Sequence, residues 1–127
     1  MGNRAVIAFK DDDSIGLYLH WNGGRDSVEP FLMAAKELGL RCQDDPGYAI
    51  ARLAQLIGNW MGSTTSIGVG PLSSLDCDNM DNGVYRIKDW EIVRREHHEG
   101  PEQTGYEPEK MTKEVLEANA SIKWKGR

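Results

Sequence analysis

Hydrophobic and polar positions alternate with period two over residues 15–21. Ile15, Leu17, Leu19 and Trp21 fall on one face and Gly16, Tyr18 and His20 on the other. That period, carried by aromatic and aliphatic side chains, predicts a strand. The string "NRAVIAF" at 3–9 predicts a shorter strand before it. "KDDDS" between them reads as a turn, because three adjacent carboxylates repel one another in a regular element, and the two strands are expected to pair as a hairpin. From Val28 the period becomes helical, through Phe31, Leu32, Ala35 and Leu38. Pro30 is best tolerated in a first turn, which predicts a helix cap at Asp26 or Ser27. Gly39 is a stop signal, and Asp45 before Pro46 predicts an extended bend. Ile50, Leu53, Ala54, Ile57 and Met61 repeat as a second amphipathic helix, in which Gly58 marks close approach to a neighbour.

The second half is less regular. "GSTTSIGVGPLSS" at 62–74 reads as loop, short strand and loop, and "LDCDNMDNG" at 75–83 as an acidic turn. "VYRIKDWEIVRRE" at 84–96 alternates well enough for one long strand, or two short ones broken at Lys88-Asp89. A polar connector follows, then a weak helical pattern through Met111, Val115, Leu116 and Ile122 toward a basic end. No internal repeat is present. Together these elements predict an α+β fold: a mostly antiparallel sheet with two central helices and a C-terminal helix. The 127 residues, 39% hydrophobic and 28% charged, fit a single domain spanning 1–127, with 99–127 a polar connector and C-terminal helix.

Charge narrows the function classes. The net charge is −5, which argues against gripping a long nucleic acid but not against holding a small nucleotide with one or two arginines. Cys42 and Cys77 lie in no ligand-spaced cluster and are expected to be reduced structural thiols of a cytoplasmic protein. No apolar run reaches membrane-spanning length, and Val6 stands where a myristoylation signal needs Ser or Thr.

The stretch "HWNGGRDSVEPFL" at 20–32 is the best candidate for chemistry. Strand, glycine turn and helix start present outward N–H groups and the positive end of a helix dipole to an anion. Trp21 and Asn22 precede the turn. Gly23 and Gly24 allow close backbone approach, Arg25 offers a bidentate contact to phosphate, and Asp26 stands at the helix mouth. The same residues also suit a plain turn with a solvated arginine, since neither GxGxxG spacing nor a P-loop lysine is present. "GSTTSIG" fails as a P-loop: its glycines are one residue too far apart and no Lys-Ser or Lys-Thr follows. Asp76 and Asp78 occupy the first and third positions of an EF-hand loop, but Met80, Asp81 and Ile87 occupy the fifth, sixth and twelfth, so that motif is rejected. A looser Mg²⁺ or Ca²⁺ site at Asp76, Asp78 and Asp81 competes with a turn supplied by Asn82-Gly83. His97 and His98 are adjacent and so diverge on a regular element. Arg86, Arg94 and Arg95, near Tyr85 and Trp90, read either as a solvated strand face or as a phosphate clamp beside stacking aromatics.

The segments "NRAVIAF", "YLHWNGGRDSVEPFL" and "LDCDNMDNGVYRIKDWEIVRRE" resemble the first type of phage Thoeris anti-defence protein, a family of signal "sponges". The resemblance covers roughly residues 3–97; Arg25 and Asp89 match family positions, the latter with Asn in several relatives. It implies a non-enzymatic protein without cofactor that sequesters a cyclic ADP-ribose-type signal, of the glycocyclic kind, made by bacterial TIR-domain proteins. Some members are also associated with capturing cyclic oligonucleotides of the CBASS defence. It further implies a homo-oligomer, up to a hexamer, with sites between subunits, working in the cytoplasm of the infected host.

On that basis Arg25, Arg95 and the turn amides are expected to neutralise phosphate. Trp21, Tyr85 or Trp90 would hold the base, and Asp81, Asn82 or Asp89 would read ribose hydroxyls. Two rivals belong to other classes: a metal-dependent phosphodiesterase of a cyclic nucleotide using Asp76, Asp78 and Asp81, and a protein inhibitor of a host enzyme acting through an acidic surface.

Overall fold

The computed structural model describes residues 2–62 and 66–124. Five strands form one sheet: β1 (Ala5–Phe9), β2 (Gly16–Leu19), β3 (Ile67–Gly70), β4 (Val84–Lys88) and β5 (Glu91–Glu96). Their spatial order is β3-β2-β1-β4-β5, antiparallel throughout except for the parallel central pair β1–β4. Three helices complete the α+β fold: α1 (Arg25–Glu37) and α2 (Pro46–Met61) between β2 and β3, and α3 (Pro108–Ala118) after the sheet. The expected hairpin of the first two strands is present, with Ala5 opposite Leu19 and Ile7 opposite Leu17.

All five residues of β1 are buried, which explains its unbroken apolar string: a central strand is covered on both faces. Ala5, Ile7 and Phe9 join Leu17, Leu19, Tyr85 and Ile87 in a core with Val28, Phe31 and Leu32 of α1 and Ile50, Leu53 and Ile57 of α2. Val6, Ala8 and Val84 face the other way, under Leu72, Leu75 and Cys77 of the long β3–β4 connection. Helix α3 adds Val115 to the main core. The buried Asn119 beyond it donates to the carbonyls of Leu56 (3.1 Å) and Val115 (2.8 Å) and accepts from Asn59 (2.8 Å), tying α3 to α2. Cys42 and Cys77 are half-buried free thiols on opposite sides of the sheet, and burial pushes both thiol pKa values up. Among the described residues no helix is long and apolar enough to cross a membrane.

Three local expectations need correction. Helix α1 begins earlier than a cap at Asp26 or Ser27 would allow. Its N-cap is Gly24, extended at φ −69° and ψ 158°, whose carbonyl accepts from the N–H groups of Ser27 (3.0 Å) and Val28 (2.9 Å). Pro30 therefore stands in the second turn, where it removes a helical donor instead of occupying a position that lacks one. Of the two readings of 84–96, the two short strands are the one present, but the break is shifted. The break is one residue later than Lys88-Asp89, at Asp89-Trp90, and both turn residues take positive φ (53° and 61°) as a tight two-residue hairpin turn requires. Ile122 lies beyond the end of α3 but still packs on the core, as does Trp124. Residues 63–65 of the P-loop-like string and the basic end at 125–127 lie outside the described residues.

Candidate anion-binding site

The turn at 20–24 leads from β2 into α1, and its left-handed residue is Asn22 (φ 60°), not a glycine. Gly23 is needed for a different reason. Its N–H donates to the Asn3 carbonyl (2.8 Å), and a Cβ there would lie 2.4 Å from that oxygen. The turn is thus pressed onto the entry to β1. From the sheet below, Tyr85 donates a 2.7 Å hydrogen bond to the Gly23 carbonyl. Tyr85 is fully buried, and burial is the first reason its phenol pKa is pushed far up.

Arg95 lies opposite Tyr85 in the β4–β5 register and stacks on its ring, with the guanidinium carbon 3.8 Å from the centroid. It also donates to the Asn82 carbonyl at 2.7 Å. Burial lowers the Arg95 pKa, although arginine stays charged at any physiological pH. Arg25, in the first turn of α1, contacts Glu29 at 3.4 Å and Glu102 at 3.1 Å. Burial pulls the Arg25 pKa down, but the charge of Glu102 and the neighbouring Tyr106 and Glu29 outweigh it, so the net shift is upward. Both arginines meet at Glu102, because Arg95 pairs with the other oxygen of that carboxylate. Gln103 then supplies its side-chain oxygen to the Asp26 N–H at 3.1 Å, completing the start of a helix that has no side-chain cap of its own.

Of the residues singled out from sequence, Asn22, Gly23, Gly24, Arg25, Asp26, Tyr85 and Arg95 come together here, with Asn82 contributing its carbonyl. Trp21 sits at the edge of the turn with 47% of its surface exposed and His20 edge-on at 5.0 Å. The side chains of Asp81 and Asn82 point elsewhere. Asp81 accepts from the Arg4 Nε (2.7 Å) and N–H (3.1 Å), and Asn82 bonds Asn3 (2.6 Å) and the Arg4 carbonyl (3.0 Å). Asp89 and Trp90 occupy the opposite end of the β4–β5 hairpin. Gln43 brackets Asp89, and the Trp90 indole donates to the Leu40 carbonyl (3.0 Å) from a nearly buried position edge-on to Phe9. Trp90 is therefore fixed in the core, and the little of it that stays exposed lines the groove between α1 and β5. Tyr85 is covered by Arg95.

The three arginines of the last hairpin also part company. Arg86 and Arg94 face away from the helices. Arg86 is nearly buried and binds Glu96, Asp13 and the Phe9 carbonyl, so it holds the "KDDDS" turn in place. Only Arg95 belongs to the site. The acidic loop is organised by Asn79, whose side chain accepts from the N–H groups of Asp81, Asn82 and Gly83. Arg4 lies 3.6 Å from Asp76 and 2.7 Å from Asp81. Among the described residues no group of three or more histidine, cysteine or acidic side chains is placed to hold a metal.

Beside Arg25 a groove of about 420 Å³ runs between α1 and β5, lined by Leu32, Met33, Trp90 and Ile92 and closed at its far end by the Lys36–Glu91 ion pair (2.7 Å). That volume falls within the range of small-molecule pockets. Sequence reasoning missed Glu102 and Gln103 because nothing local marks them: they lie in an irregular polar stretch, and each meets a partner 77 residues away. Compared with family models, with curated proteins and with solved structures, the chain matches none.

Proposed function

We propose that the protein sequesters, without turning it over, a cyclic ADP-ribose-type immune signal of the glycocyclic kind, and so blocks anti-phage signalling in the cytoplasm of an infected bacterium. The observation that carries this reading is the convergence of Arg25 and Arg95 on one carboxylate beside the first amides of α1. Two guanidiniums and a helix start suit a ligand whose two riboses are joined by a diphosphate. The groove next to Arg25 offers an apolar floor of suitable size for the adenine. Trp21, with an exposed ring, is an aromatic available for a second contact, either to the ligand or to a neighbouring subunit of a homo-oligomer of up to six chains. Cyclic oligonucleotides of the CBASS type carry the same phosphate chemistry and are a second ligand class for the same cations.

The test is to purify the protein from cells with an active TIR defence, heat it, and identify the released small molecules by mass spectrometry. Intact signal supports sequestration. A cleaved product would replace that reading with phosphodiesterase chemistry, and no bound nucleotide would favour an inhibitor of a host protein.

A further inference from the structure

Glu102 and Gln103 bring one charged and one neutral oxygen to the two places an anion would occupy, the arginine pair and the Asp26 N–H in the first turn of α1. The connector that carries them, residues 97–107, has no regular secondary structure and is mostly exposed, with Gly100 and Gly105 in left-handed backbone at φ 89° and 80°. Such a segment is held by few buried contacts and opens at low free-energy cost. Its fit to the site is also incomplete. The Arg95 side chain is only 10% exposed, yet its Nε has no hydrogen-bond partner. On the connector itself, both ring nitrogens of His98 are buried without a hydrogen-bond partner, so the segment is not fully satisfied where it lies. Buried polar atoms in native proteins are normally satisfied, so the Arg95 Nε is a donor that the Glu102 carboxylate does not use up. Charge points the same way. Arg25 and Arg95 are balanced by Glu29 and Glu102, so a diphosphate added to the closed arrangement would meet a neutral cluster and a like-charged carboxylate.

We infer that residues 97–107 form a displaceable latch, in which Glu102 and Gln103 hold the place of a diphosphate, and that diphosphate-containing ligands enter by exchanging with them. The inference rests on the proposed reading of Arg25 and Arg95 as the anion site. When the latch leaves, the two arginines, the Asp26 N–H and the unpaired Arg95 Nε become available together.

Inorganic pyrophosphate is the probe, measured by calorimetry on the full chain. Glu102→Gln keeps the side-chain shape and removes the competing charge, so pyrophosphate should bind about tenfold more tightly, the scale of one charged hydrogen bond. In the wild type, amide exchange over residues 99–107 should speed up when pyrophosphate is added. Glu102 is 39% exposed, and an unchanged thermal midpoint of the variant will show that the fold is kept. Equal affinities for wild type and Glu102→Gln, no pyrophosphate binding by either, or connector amides that become more protected would each overturn the latch. Recovery of intact signal nucleotide from cells in any of those cases leaves the sequestration reading standing. A tighter Glu102→Gln variant from which no nucleotide is ever recovered keeps the latch and removes that reading.

Discussion

The Tyr85 hydroxyl donates to the carbonyl of Gly23, 62 residues earlier in the chain, and a face of the same ring carries Arg95. One buried side chain thus joins the centre of the sheet, the turn before α1 and the cation opposite it. Tyr85→Phe keeps the packing but leaves a buried carbonyl without its donor, which should cost about 1–3 kcal/mol. Urea unfolding should show a lower midpoint with an unchanged slope, since the surface exposed on unfolding is the same. An unaltered midpoint would mean that the turn is not held from below.

Gly23 and Gly24 should differ sharply despite being neighbours. A Cβ at Gly23 would meet Asn3, Ala5 and Arg4 at 2.4–2.8 Å, mostly backbone atoms that cannot step aside. At Gly24 the nearest atom, at 2.8 Å, is the Asp26 carboxylate oxygen, which can rotate away, and the φ of −69° suits any residue. Gly23→Ala should destabilise by about 1–3 kcal/mol or more as an overpacked site. Gly24→Ala should cost well under about 1 kcal/mol. Parallel thermal melts decide it, and equal losses at both positions would refute the contrast.

Wherever period and burial coincide, the fold was legible in the sequence. The alternation of Leu17 and Leu19 and the stripe from Val28 to Ala35 both report which side chains leave water. The start of α1 was misread because Pro30 carries a strong local preference that tertiary packing overrides, and because the residue satisfying the Asp26 N–H is Gln103. The site was half legible for the same reason. Arg25 and the glycines announce themselves in one string, and Arg95 lies on a recognisable strand. The pairing of Tyr85 with Gly23 and the arrival of Glu102 depend on sheet order and on a connector without periodicity. For Trp90 the sequence shows an aromatic beside cations but not the Leu40 carbonyl that fixes its indole at the groove between α1 and β5.

Arg25→Ala should separate binding from folding. The side chain is 24% exposed, and its ion pairs with Glu29 and Glu102 are partly solvated, so their loss should change stability by no more than about 1 kcal/mol. Loss of a charged hydrogen bond to phosphate costs about 1.5–3 kcal/mol, or roughly ten- to a hundredfold in affinity. Calorimetry with cyclic ADP-ribose signal on wild type and variant gives the comparison, and an unchanged affinity would remove Arg25 from the site. Arg95→Ala should lose both affinity and stability, because that side chain is nine-tenths buried and stacked on Tyr85.

The Asp81–Arg4 pair predicts a dependence on acid. Hydrogen bonds from the Arg4 side chain and backbone, and the Arg4 charge, hold the Asp81 carboxyl below its ordinary pKa in the folded state. A depressed folded pKa stabilises the fold above the ordinary carboxylate range, and the contribution is lost as pH falls through the lowered value. Wild type should therefore be more stable than Asp81→Asn near neutrality, with the gap closing from about pH 4 downward. Because the pair is partly solvated, high salt should narrow the gap as well. A difference between the two proteins that stays constant across acid pH would show that the carboxylate charge is not what matters.

Metal ions should be dispensable for binding, because the acidic loop already has its cation. Arg4 sits between Asp76 and Asp81, and Asn79 spends its side-chain oxygen on three consecutive backbone N–H groups of the same turn. A divalent ion at Asp76, Asp78 and Asp81 would have to expel the Arg4 guanidinium and the N–H donor that Arg4 gives to Asp81. Among the described residues no three acidic, histidine or cysteine side chains converge there to hold one. Treatment with EDTA should leave both the thermal midpoint and the affinity for the signal nucleotide unchanged, and added Mg²⁺ or Ca²⁺ should shift neither. Binding that disappears on chelation and returns with Mg²⁺ would establish the loop as a metal site and bring the phosphodiesterase reading forward in place of sequestration.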